Sequence, residues 1–437
     1  MNILITATVV LFWILLLFYS AVTIGGVWYR LRFRNPPKIK HYPSVAVLIP
    51  AHNEEIVIEN TLRAMARLKY EGKLDIYLLD DSSKDGTAAI VQEFAEVFSR
   101  IHYIPVPPGN PKGKSRVLNY GLSVTDSDYF VVYDADNEPE PDALEKLVQA
   151  AETVPNAAGA VGYVKTKNVD TNVLTRMIAL EFQVFQLLMQ CGRWALFRLG
   201  SLAGTNMLLR RSVIEKLGGY DVYALAEDAE LTVRLTAAGY VLPVIPTSRT
   251  WEQEPETLKA FIKQRTRWLT GNLYLLEKSM KDWSHWRGRT FVLSLQHLFT
   301  YLIFVLMLLI SDIFFILSIS GVDIPNIGAP LMMLWFMTYI VYTAQLLSAL
   351  VVDRNVSLTN VLYVLVMYFT YAQLFILLLI RSVATYTWSK LRKKRLPGTK
   401  PSASKGEWIH EEMALAGDDC GNARCLQRGS ERTVAAT

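Results

Sequence analysis

The sequence predicts an α/β protein whose mostly parallel sheet is joined to α-helices of membrane-spanning length. The first observation is an alternation of short β-rich runs with stretches of helical spacing over residues 44–164, the pattern of parallel strands with helices on both faces. The second is a set of long apolar runs on either side of this region, since about 20 apolar residues can cross a bilayer. The third is a polar cluster after each of three predicted strands, which indicates one shared site.

The N-terminal apolar run predicts an anchor over residues 1–29. Basic residues follow this run (Arg30, Arg32 and Arg34) and none precedes it, whereas a signal peptide carries its charge on the N-terminal side. Because positive residues mark the cytoplasmic side of a span, we expect the N-terminus to lie outside and residue 30 onward to be cytoplasmic.

The alternation then predicts a list of elements in chain order. Strands are expected at residues 44–49, 74–79, 101–106, 129–133 and 158–164, and helices at 55–68, 87–97, 114–123 and 141–152.

Three polar clusters follow strands of this predicted sheet: residues 50–54, residues 80–83 and the Asp134-Ala135-Asp136 sequence. Ligands of parallel sheets bind outside the carboxyl ends of the strands. Asp134 and Asp136 together can hold a hard divalent cation, Mg²⁺ or Mn²⁺, that also takes substrate phosphate oxygens as ligands. The alternative is an ordinary Asp-rich turn, but the coincidence of three clusters favours a site.

Two later amphipathic stretches predict helices lying in the membrane interface, at about residues 172–199 and 255–285. In the first, Arg176, Gln183, Gln186 and Gln190 form one polar stripe, which suits an interfacial helix; the alternative is a core helix of the soluble domain. The second contains two arginines beside Trp268, which suit a diphosphate and a stacked sugar or are plain surface. Between these stretches, Glu227 and Asp228 open a helix, where capping is the simplest role for an acidic side chain.

Beyond residue 288 the sequence predicts a transmembrane region over residues 289–386, with three apolar segments at 291–319, 329–352 and 361–380. Asp312, Gln345 and Gln373 interrupt these segments and are expected to face a bundle interior or a passage. Three full spans would place the basic residues 390–395 outside, against the positive-inside rule, unless one run is interfacial or re-entrant. Residues 387–437 are expected to form a basic, disordered tail.

Composition excludes several classes. The chain has 437 residues, 51% of them hydrophobic, and a net charge of +5, too small to indicate nucleic-acid binding. Three cysteines, Cys191, Cys420 and Cys425, give neither a disulfide framework nor zinc spacing. A bridge between the last two in an exported tail and a pair of idle thiols both remain open.

The motifs together resemble the processive family-2 glycosyltransferases, the membrane synthases of cellulose, chitin oligomers, hyaluronan and poly-N-acetylglucosamine. The resemblance covers about residues 40–385 and is carried, in order, by residues 49–54 (IPAHNE), 80–87 (DDSSKDGT), 134–136 (DAD), Glu227-Asp228 and 264–268 (QRTRW). It implies a GT-A domain at residues 40–288 on the cytosolic side of a transmembrane channel. Only one span precedes that domain, fewer than in cellulose and hyaluronan synthases, and no cyclic-di-GMP module follows the last span.

The resemblance also implies roles. Ala51, His52, Glu54, Asp80, Asp81, Lys114, Asp134, Asp136, Gln264 and Arg267 would bind the donor, with Asp134 and Asp136 on Mg²⁺ or Mn²⁺ and the His52 ring on uracil. Gly204, Thr205, Asn206, Glu227 and Trp268 would border the acceptor, and Asp228 would be the catalytic base.

The function implied is that of a hexosyltransferase in the plasma (inner) membrane, which elongates a β-linked polysaccharide from a UDP-sugar and exports it. Its partners would be the donor, the growing polysaccharide and the bilayer, with a homodimer or an export subunit to complete a channel and no nucleic acid. The alternative is a transferase that moves one sugar to a membrane lipid. A third class, a transporter or scaffold without catalysis, would leave the carboxylate clusters without a role.

Overall fold

The computed structural model describes residues 2–299, 303–321 and 328–395. Cys420, Cys425 and the rest of the predicted tail from residue 396 onward lie outside the described residues, so the expectations for them are not addressed.

Eight strands form one sheet: β1 (Val45–Ala51), β2 (Leu74–Asp80), β3 (Ile101–Pro105), β4 (Tyr129–Val132), β5 (Glu138–Pro139), β6 (Gly159–Thr166), β7 (Met207–Arg210) and β8 (Val244–Glu252). Their order across the sheet is β3-β2-β1-β4-β7-β6-β8-β5. Strands β3, β2, β1 and β4 are mutually parallel, β7 runs antiparallel to β4 and β6, and β6 is parallel to β8. The sheet is therefore mixed but mostly parallel.

The helices are α1 (Asn2–Arg32), α2 (Ile58–Met65), α3 (Thr87–Val97), α4 (Lys114–Val124), α5 (Ala143–Thr153), α6 (Val173–Phe182), α7 (Gln190–Phe197), α8 (Arg211–Lys216), α9 (Glu227–Ala237), α10 (Leu258–Lys281), α11 (Gly288–Leu298), α12 (Phe304–Ile319), α13 (Gly328–Val352), α14 (Leu358–Met367) and α15 (Tyr371–Arg395). A π-helical turn, Gln183–Met189, joins α6 to α7, and a 3₁₀ turn, Trp283–Trp286, precedes α11.

The sheet is covered on both faces. In β1, Val45, Val47 and Ile49 pack into one apolar core and Ala46 and Leu48 into the other, because successive side chains of a strand point to opposite faces. Strands buried on both faces read as continuous apolar runs, which is why the sequence located them. The five strands and four helices predicted over residues 44–164 are confirmed.

The N-terminal helix α1 packs against the described domain. A Cβ atom on Gly26 of α1 would lie 2.3 Å from the Leu188 carbonyl oxygen, and one on Gly192 of α7 would lie 2.0 Å from the Val22 carbonyl oxygen. Both positions therefore require glycine, because α1 lies very close to the helical stretch that contains Leu188 and Gly192. The Tyr29 hydroxyl donates to the Val244 carbonyl oxygen at 2.9 Å. The predicted anchor is thus attached to the sheet itself.

The helical stretch over residues 173–197 carries its glutamines inward. Gln183, Gln186 and Gln190 are buried, since α1 and α13 pack against this stretch. Gln190 donates to the Ser201 carbonyl oxygen at 2.7 Å and accepts from the Ser201 N–H at 3.1 Å. The polar stripe that the sequence placed in the membrane interface therefore contacts protein instead.

Three helical segments in the described residues, Val9–Arg32, Trp335–Val352 and Tyr371–Leu391, are long and apolar enough to cross a membrane. The third predicted span, residues 361–380, is not one helix: residues 368–370 break it into α14 and α15. The Gln373 side chain donates to the Tyr368 carbonyl oxygen at 3.0 Å, which satisfies an acceptor that the break exposes.

The basic end of α15 contacts the domain that contains the sheet. Tyr386 donates to Glu277 of α10 at 2.5 Å and Lys390 pairs with the same carboxylate. Helix α15 continues to Arg395, so residues 387–395 are helical rather than part of a disordered tail. Basic residues suit the last turn of a helix, and Lys390 near this end lies against the domain that contains the sheet.

A buried ion pair joins the sheet to the end of α13. Lys165 of β6 reaches the Asp353 carboxylate at 3.1 Å, and only 2% of the Asp353 side chain is exposed. The Tyr163 hydroxyl donates to the same carboxylate at 3.2 Å. Since α13 is of spanning length, these contacts fix the sheet relative to the apolar helices.

Replacement of Asp353 by alanine should therefore destabilise the protein by about 3 kcal/mol, because it leaves Lys165 without its partner in a poorly hydrated position. The matched control is Lys73→Ala, which breaks a pair with Asp75 in which 73% of the lysine side chain is exposed; its cost should stay below about 1 kcal/mol. Thermal unfolding of both variants in detergent measures the difference, and equal shifts would contradict it.

Candidate active site

The loops after β1 and β2 are tied to each other. The Asn53 N–H donates to the Ser83 hydroxyl at 2.9 Å, and the Asn53 side-chain oxygen accepts from the Lys84 N–H at 2.8 Å. Asn53 has φ 58° and Ser82 has φ 63°, a left-handed conformation in which asparagine is enriched. The two loops therefore form one rigid rim at the carboxyl edge of the sheet.

His52 lies on this rim beside the buried Ala51, whose carbonyl oxygen accepts from the Asp81 N–H at 2.9 Å. The His52 Nδ1 atom lies 2.7 Å from the Asp81 carbonyl oxygen, and Nε2 lies 3.0 Å from the Asn53 amide nitrogen. Because a carbonyl oxygen only accepts, Nδ1 carries the proton and Nε2 accepts. Both ring edges are thus fixed, and the side chain remains exposed to a planar ligand.

The adjacent carboxylates Asp80 and Asp81 differ in their surroundings. Asp80 is 4% exposed and accepts from the Ser83 N–H at 2.9 Å and from the Tyr103 hydroxyl at 2.7 Å. Asp81 pairs with Arg116, a residue that sequence reasoning did not select. Asp80 therefore shapes the turn, while Asp81 and Arg116 form a charged pair beside it.

Lys114 lies at the centre of the site, at the start of α4. Its Nζ atom lies 2.5 Å from Asp134 Oδ1, 2.7 Å from the Gly204 carbonyl oxygen and 3.7 Å from Glu227 Oε1. Burial alone would lower the pKa of Lys114, but the Asp134 and Glu227 carboxylates raise it well above its ordinary value. The amine therefore stays charged and joins three distant segments of the chain.

Gly204 lies between this amine and the Asp228 carboxylate. It has φ +81°, and a Cβ atom there would lie 3.6 Å from Asp228 Oδ2 and 3.7 Å from Lys114 Nζ. The space would admit a methyl group, so it is the positive φ that favours glycine.

Thr205 and Asn206 hold the loop after β4 from behind. The Asp134 N–H donates to the Thr205 hydroxyl at 3.2 Å. Asn206 is fully buried; it accepts from the Tyr133 hydroxyl at 3.1 Å and donates to the Ser248 carbonyl oxygen at 3.0 Å. Thr205 therefore holds the start of the Asp134–Asp136 loop and Asn206 the strand before it, and their place at the border of the acceptor site stays a prediction.

Asp228 lies in the first turn of α9, beside Glu227. Its Oδ1 accepts from the Ala229 N–H at 2.8 Å, while Ala226 at the N-cap provides no side-chain cap. Burial, and after it the neighbouring Glu227, raise the pKa of Asp228 to about 7. The capping interpretation therefore accounts for one oxygen, and the other, Oδ2, lies near Gly204.

Asp136 belongs to a second cluster of carboxyl side chains, together with Glu252 and Glu54. Burial and the Asp134 charge raise its pKa to about 6. The Asn137 amide donates to Asp136 at 3.1 Å and to Glu252 at 3.3 Å, and Asn137 itself is fixed by the Thr250 hydroxyl at 3.1 Å. Burial raises the pKa of Glu54 to about 7, with contributions from Asp136 and Asp134.

Glu254 extends this group towards α10. Asn168 clamps its backbone with two hydrogen bonds of 2.9 Å. The residue is 3% exposed, and its carboxyl group interacts with the neighbouring Glu252 carboxyl. Burial raises the pKa of Glu254 to about 7, the positive charge of Arg265 lowers it, and the negative charge of Asp136 raises it. Glu254 therefore interacts electrostatically with both Arg265 and Asp136.

The predicted residues of α10 separate onto different surfaces. Trp268 is partly buried, and the buried Arg265 lies with its guanidinium 4.4 Å from the Trp268 ring centroid. Gln264 has a buried side-chain oxygen without a partner among the described residues. Arg267 is exposed, and its place in the donor site stays a prediction.

The Asp134 and Asp136 carboxylates fit a hard cation that takes only one or two of its ligands from the protein. Among the described residues no group of three or more His, Cys, Asp or Glu side chains is arranged to hold a metal ion. Asp134 and Asp136 supply carboxylate oxygens, and the pKa of Asp136 is raised first by burial and then by the Asp134 charge, which a cation would offset. Mg²⁺ commonly binds through one or two carboxylates and completes its shell with water and phosphate oxygens.

Comparison with known proteins gives the family. Residues 43–271, more than half of the chain, match the family described as "Glycosyltransferase like family 2". The chain belongs to glycosyltransferase family 2. It is 38% identical over 395 residues to the probable glycosyltransferase YdaM of Bacillus subtilis strain 168, a match covering 88% of this chain and 94% of the relative. The protein is therefore a glycosyltransferase, and the family predicted from its motifs is confirmed.

Two further relatives are more distant. The chain is 25% identical over 261 residues to the poly-beta-1,6-N-acetyl-D-glucosamine synthase of Staphylococcus aureus strain COL, which covers 60% of this chain and 62% of that protein. The mannosyltransferase PcManGT of Pyrobaculum calidifontis, solved with GDP-Man and Mn²⁺, is 19% identical with a TM-score of 0.52 and covers 86% of this chain and 98% of its own. This likeness shows the GT-A fold.

Sequence reasoning missed Glu252, Glu254, Glu181 and Arg116. Glu252 ends β8 and pairs in register with Thr166 at the end of the parallel strand β6, so a β8 prediction would have brought it to the site edge. Glu254 lies two residues further on. Glu181 is visible in the sequence only as an isolated charge on an apolar helix.

The raised carboxyl pKa values predict how stability depends on pH. A carboxyl whose folded-state pKa lies above its unfolded value holds its proton more tightly when folded. Its stabilising contribution is complete below pH ~4 and is lost as the pH rises through the folded-state value, which is about 7 for Asp228 and for Glu254. The ligand-free protein should therefore unfold at a lower temperature at pH 8 than at pH 5.

Asp228→Asn should weaken this pH dependence, whereas Asp142→Asn, at a largely exposed side chain, should leave it unchanged. Thermal unfolding in detergent across that range measures both. An unfolding temperature that rises from pH 5 to pH 8 would contradict the burial assigned to Asp228 and Glu254.

Proposed function

We propose that this glycosyltransferase is processive and inverting, and that it elongates a β-linked polysaccharide from a UDP-sugar at the cytosolic face of the membrane. The observation that carries the proposal is the contact cluster of Lys114, Asp134 and Gly204 beside Asp228. The helix that bears Trp268, α10, packs on α15, a helix of spanning length. A charged centre for a nucleotide-sugar thus adjoins apolar helices.

Donor binding would use the rim and the central amine. The exposed His52 ring offers a face to uracil, with Ala51 and the Asp81–Arg116 pair beside it and Asp80 holding the turn. Lys114 would meet the diphosphate as a compact cation. Glu54 borders the same carboxylate group, and the exposed Arg267 and the partly buried Gln264 of α10 would bind the diphosphate oxygens.

Asp134 and Asp136 would hold Mg²⁺ or Mn²⁺, which supplies charge neutralisation to the diphosphate when bound. The complex of the mannosyltransferase PcManGT with GDP-Man and Mn²⁺ supports the use of a divalent ion. Release of Asp134 from Lys114 would accompany binding, because the amine then has diphosphate oxygens as partners.

Asp228 would act as the base. The acceptor hydroxyl gives its proton to the Asp228 carboxylate, its oxygen bonds to the anomeric carbon of the donor, and the bond from that carbon to the diphosphate breaks, so that UDP leaves and the configuration inverts. A general base works best with a pKa near the operating pH, and burial raises that of Asp228 to about 7. Only one catalytic carboxylate is needed.

Trp268 would hold the acceptor sugar. An aromatic face makes apolar contact with the C–H side of a sugar ring without fixed hydrogen bonds, which would allow the chain to advance by one unit after each transfer. The likeness to a poly-beta-1,6-N-acetyl-D-glucosamine synthase over 261 residues supports a polymeric product over a single transfer to a lipid.

Orientation follows from charge. Arg30, Arg32 and Arg34 after the first span favour an outside N-terminus and a cytosolic domain, and the contact of Lys390 with Glu277 brings the basic end of α15 to the same side. The apolar helices would then provide the export route, with a second copy or a partner subunit where one chain is too narrow.

Asp228→Asn and Trp268→Ala should separate two parts of the reaction. Asp228→Asn should lower the transfer rate roughly 10²–10⁴-fold, because the acceptor loses its base, with UDP affinity unchanged. Trp268→Ala should keep UDP affinity and slow hydrolysis of the donor to water, yet give only short products. Rates with labelled UDP-sugars and product length by gel measure both effects.

The matched controls are Asp126→Asn, at an exposed carboxylate, and Trp283→Ala, at a residue that is 72% exposed. Both should behave as wild type. Near wild-type polymerisation by folded Asp228→Asn would assign the base elsewhere, and a single glycolipid as the sole product of the unmodified enzyme would favour the lipid-acceptor alternative.

A further inference from the structure

We propose that Tyr371 and Glu181 are positioning residues for Trp268 and act on it through Arg265. This inference rests on the proposed role of Trp268 as the acceptor platform. It identifies a hydroxyl group at the break between α14 and α15 as a determinant of product length.

Arg265 lies in a cage of aromatic rings. Its guanidinium carbon is 4.4 Å from the ring centroid of Trp268, 5.3 Å from that of Phe261 and 5.4 Å from that of Phe182. A guanidinium at such distances is attracted by the ring quadrupole, most strongly by tryptophan. Because Arg265 is only 5% exposed, its position limits where the Trp268 ring can lie.

One carboxylate oxygen fixes Arg265. Glu181 Oε2 accepts from the Arg265 guanidinium at 2.7 Å and from the Tyr371 hydroxyl at 2.6 Å. Two donors on the same oxygen restrict the carboxylate more than one would, so the hydroxyl orients Glu181 and, through it, Arg265. Phe182 follows Glu181 directly in α6, and its ring lies 6.5 Å from that of Trp268 with an angle of 27° between the planes.

The helix break sets the position of this hydroxyl. Tyr371 is the first residue of α15 and is 2% exposed. Its ring contacts Phe261 with 5.6 Å between the centroids. The Gln373 side chain, two residues further on, donates to the Tyr368 carbonyl oxygen at 3.0 Å and so stabilises the break beside it. A continuous helix over residues 361–380 would carry Tyr371 at a different height and rotation.

Among the described residues, the donor site is linked to this contact chain through the charge of Glu254, which interacts with both Arg265 and Asp136, and not through hydrogen bonds. Lys114 and Asp134 bind each other and Gly204, and none of these residues contacts Tyr371, Glu181 or Arg265 in the hydrogen bonds and ion pairs of the described residues. Loss of the Tyr371 hydroxyl should therefore weaken retention of the acceptor without weakening retention of the nucleotide. A general loss of packing would affect both.

Tyr371→Phe removes only the hydroxyl and keeps the ring. The matched control is Tyr368→Phe, three residues earlier in the same break, because Tyr368 is also buried but its hydroxyl has no hydrogen-bond partner among the described residues. Both full-length variants are purified in detergent and supplied with the UDP-sugar that the wild type uses. An oligosaccharide from partial hydrolysis of the enzyme's own product serves as primer.

Tyr371→Phe should raise the KM for the primer by about tenfold, as expected for the loss of one hydrogen bond to a charged group. The length of its products should fall, while kcat at saturating primer, UDP affinity and donor hydrolysis stay at wild-type values. Tyr368→Phe should match the wild type throughout. Arg265→Lys, which keeps the charge but loses the planar fork, should shorten products in the same way.

Wild-type product length in Tyr371→Phe together with short products in Trp268→Ala would overturn the positioning role alone. Wild-type length in Trp268→Ala would instead overturn the platform on which the inference rests. A parallel fall in UDP affinity and donor hydrolysis in Tyr371→Phe would show a loss of general structure and would also overturn the inference.

Discussion

The contact of the Lys114 amine with Asp134 and the Gly204 carbonyl oxygen is the interaction on which the rest of the site depends. It joins the start of α4, the loop after β4 and the loop before β7, three segments that are far apart in sequence. The cation also lies near Glu227 at 3.7 Å, which explains how so many carboxylates coexist at one edge of the sheet. Without this charge, the like-charge repulsion that already raises the pKa of Asp136 would extend to its neighbours.

The sequence was sufficient to predict the parallel half of the sheet and the residues after each of its strands. Strands buried on both faces give continuous apolar runs, and the polar residues that end them are therefore easy to locate; His52, Asp81 and Asp134 were found in this way. Glu254 was not, because it follows the unpredicted strand β8 and its position is set by the Asn168 clamp. Arg116 lies in the predicted helix α4, but only the structure shows that its guanidinium pairs with Asp81. For Thr205 and Asn206, the motif gave the location, while their hydrogen bonds to Asp134 and Tyr133 depend on the antiparallel pairing of β4 with β7 and are visible only in the structure.

The apolar helices illustrate a second limit of sequence reasoning. Hydropathy identified residues 361–380 as one run because the break, Tyr368-Phe369-Thr370, contains no charged residue and no proline or glycine. The break instead depends on specific contacts, including the Gln373 hydrogen bond and ring contacts such as that of Tyr339 with Phe369 at 5.3 Å. Polar residues on apolar helices also have partners that hydropathy does not show. The Gln373 side chain donates to a backbone carbonyl oxygen, and the three glutamines of residues 183–190 are buried against α1 and α13.

The central claim is that one chain adds many sugars before it releases its product. The most direct measurement uses purified protein, a labelled UDP-sugar and a large excess of oligosaccharide primer, with products separated by length at low conversion. A processive enzyme gives long polymer while most of the primer is still unextended. Primers uniformly extended by one sugar at the same conversion would contradict the account.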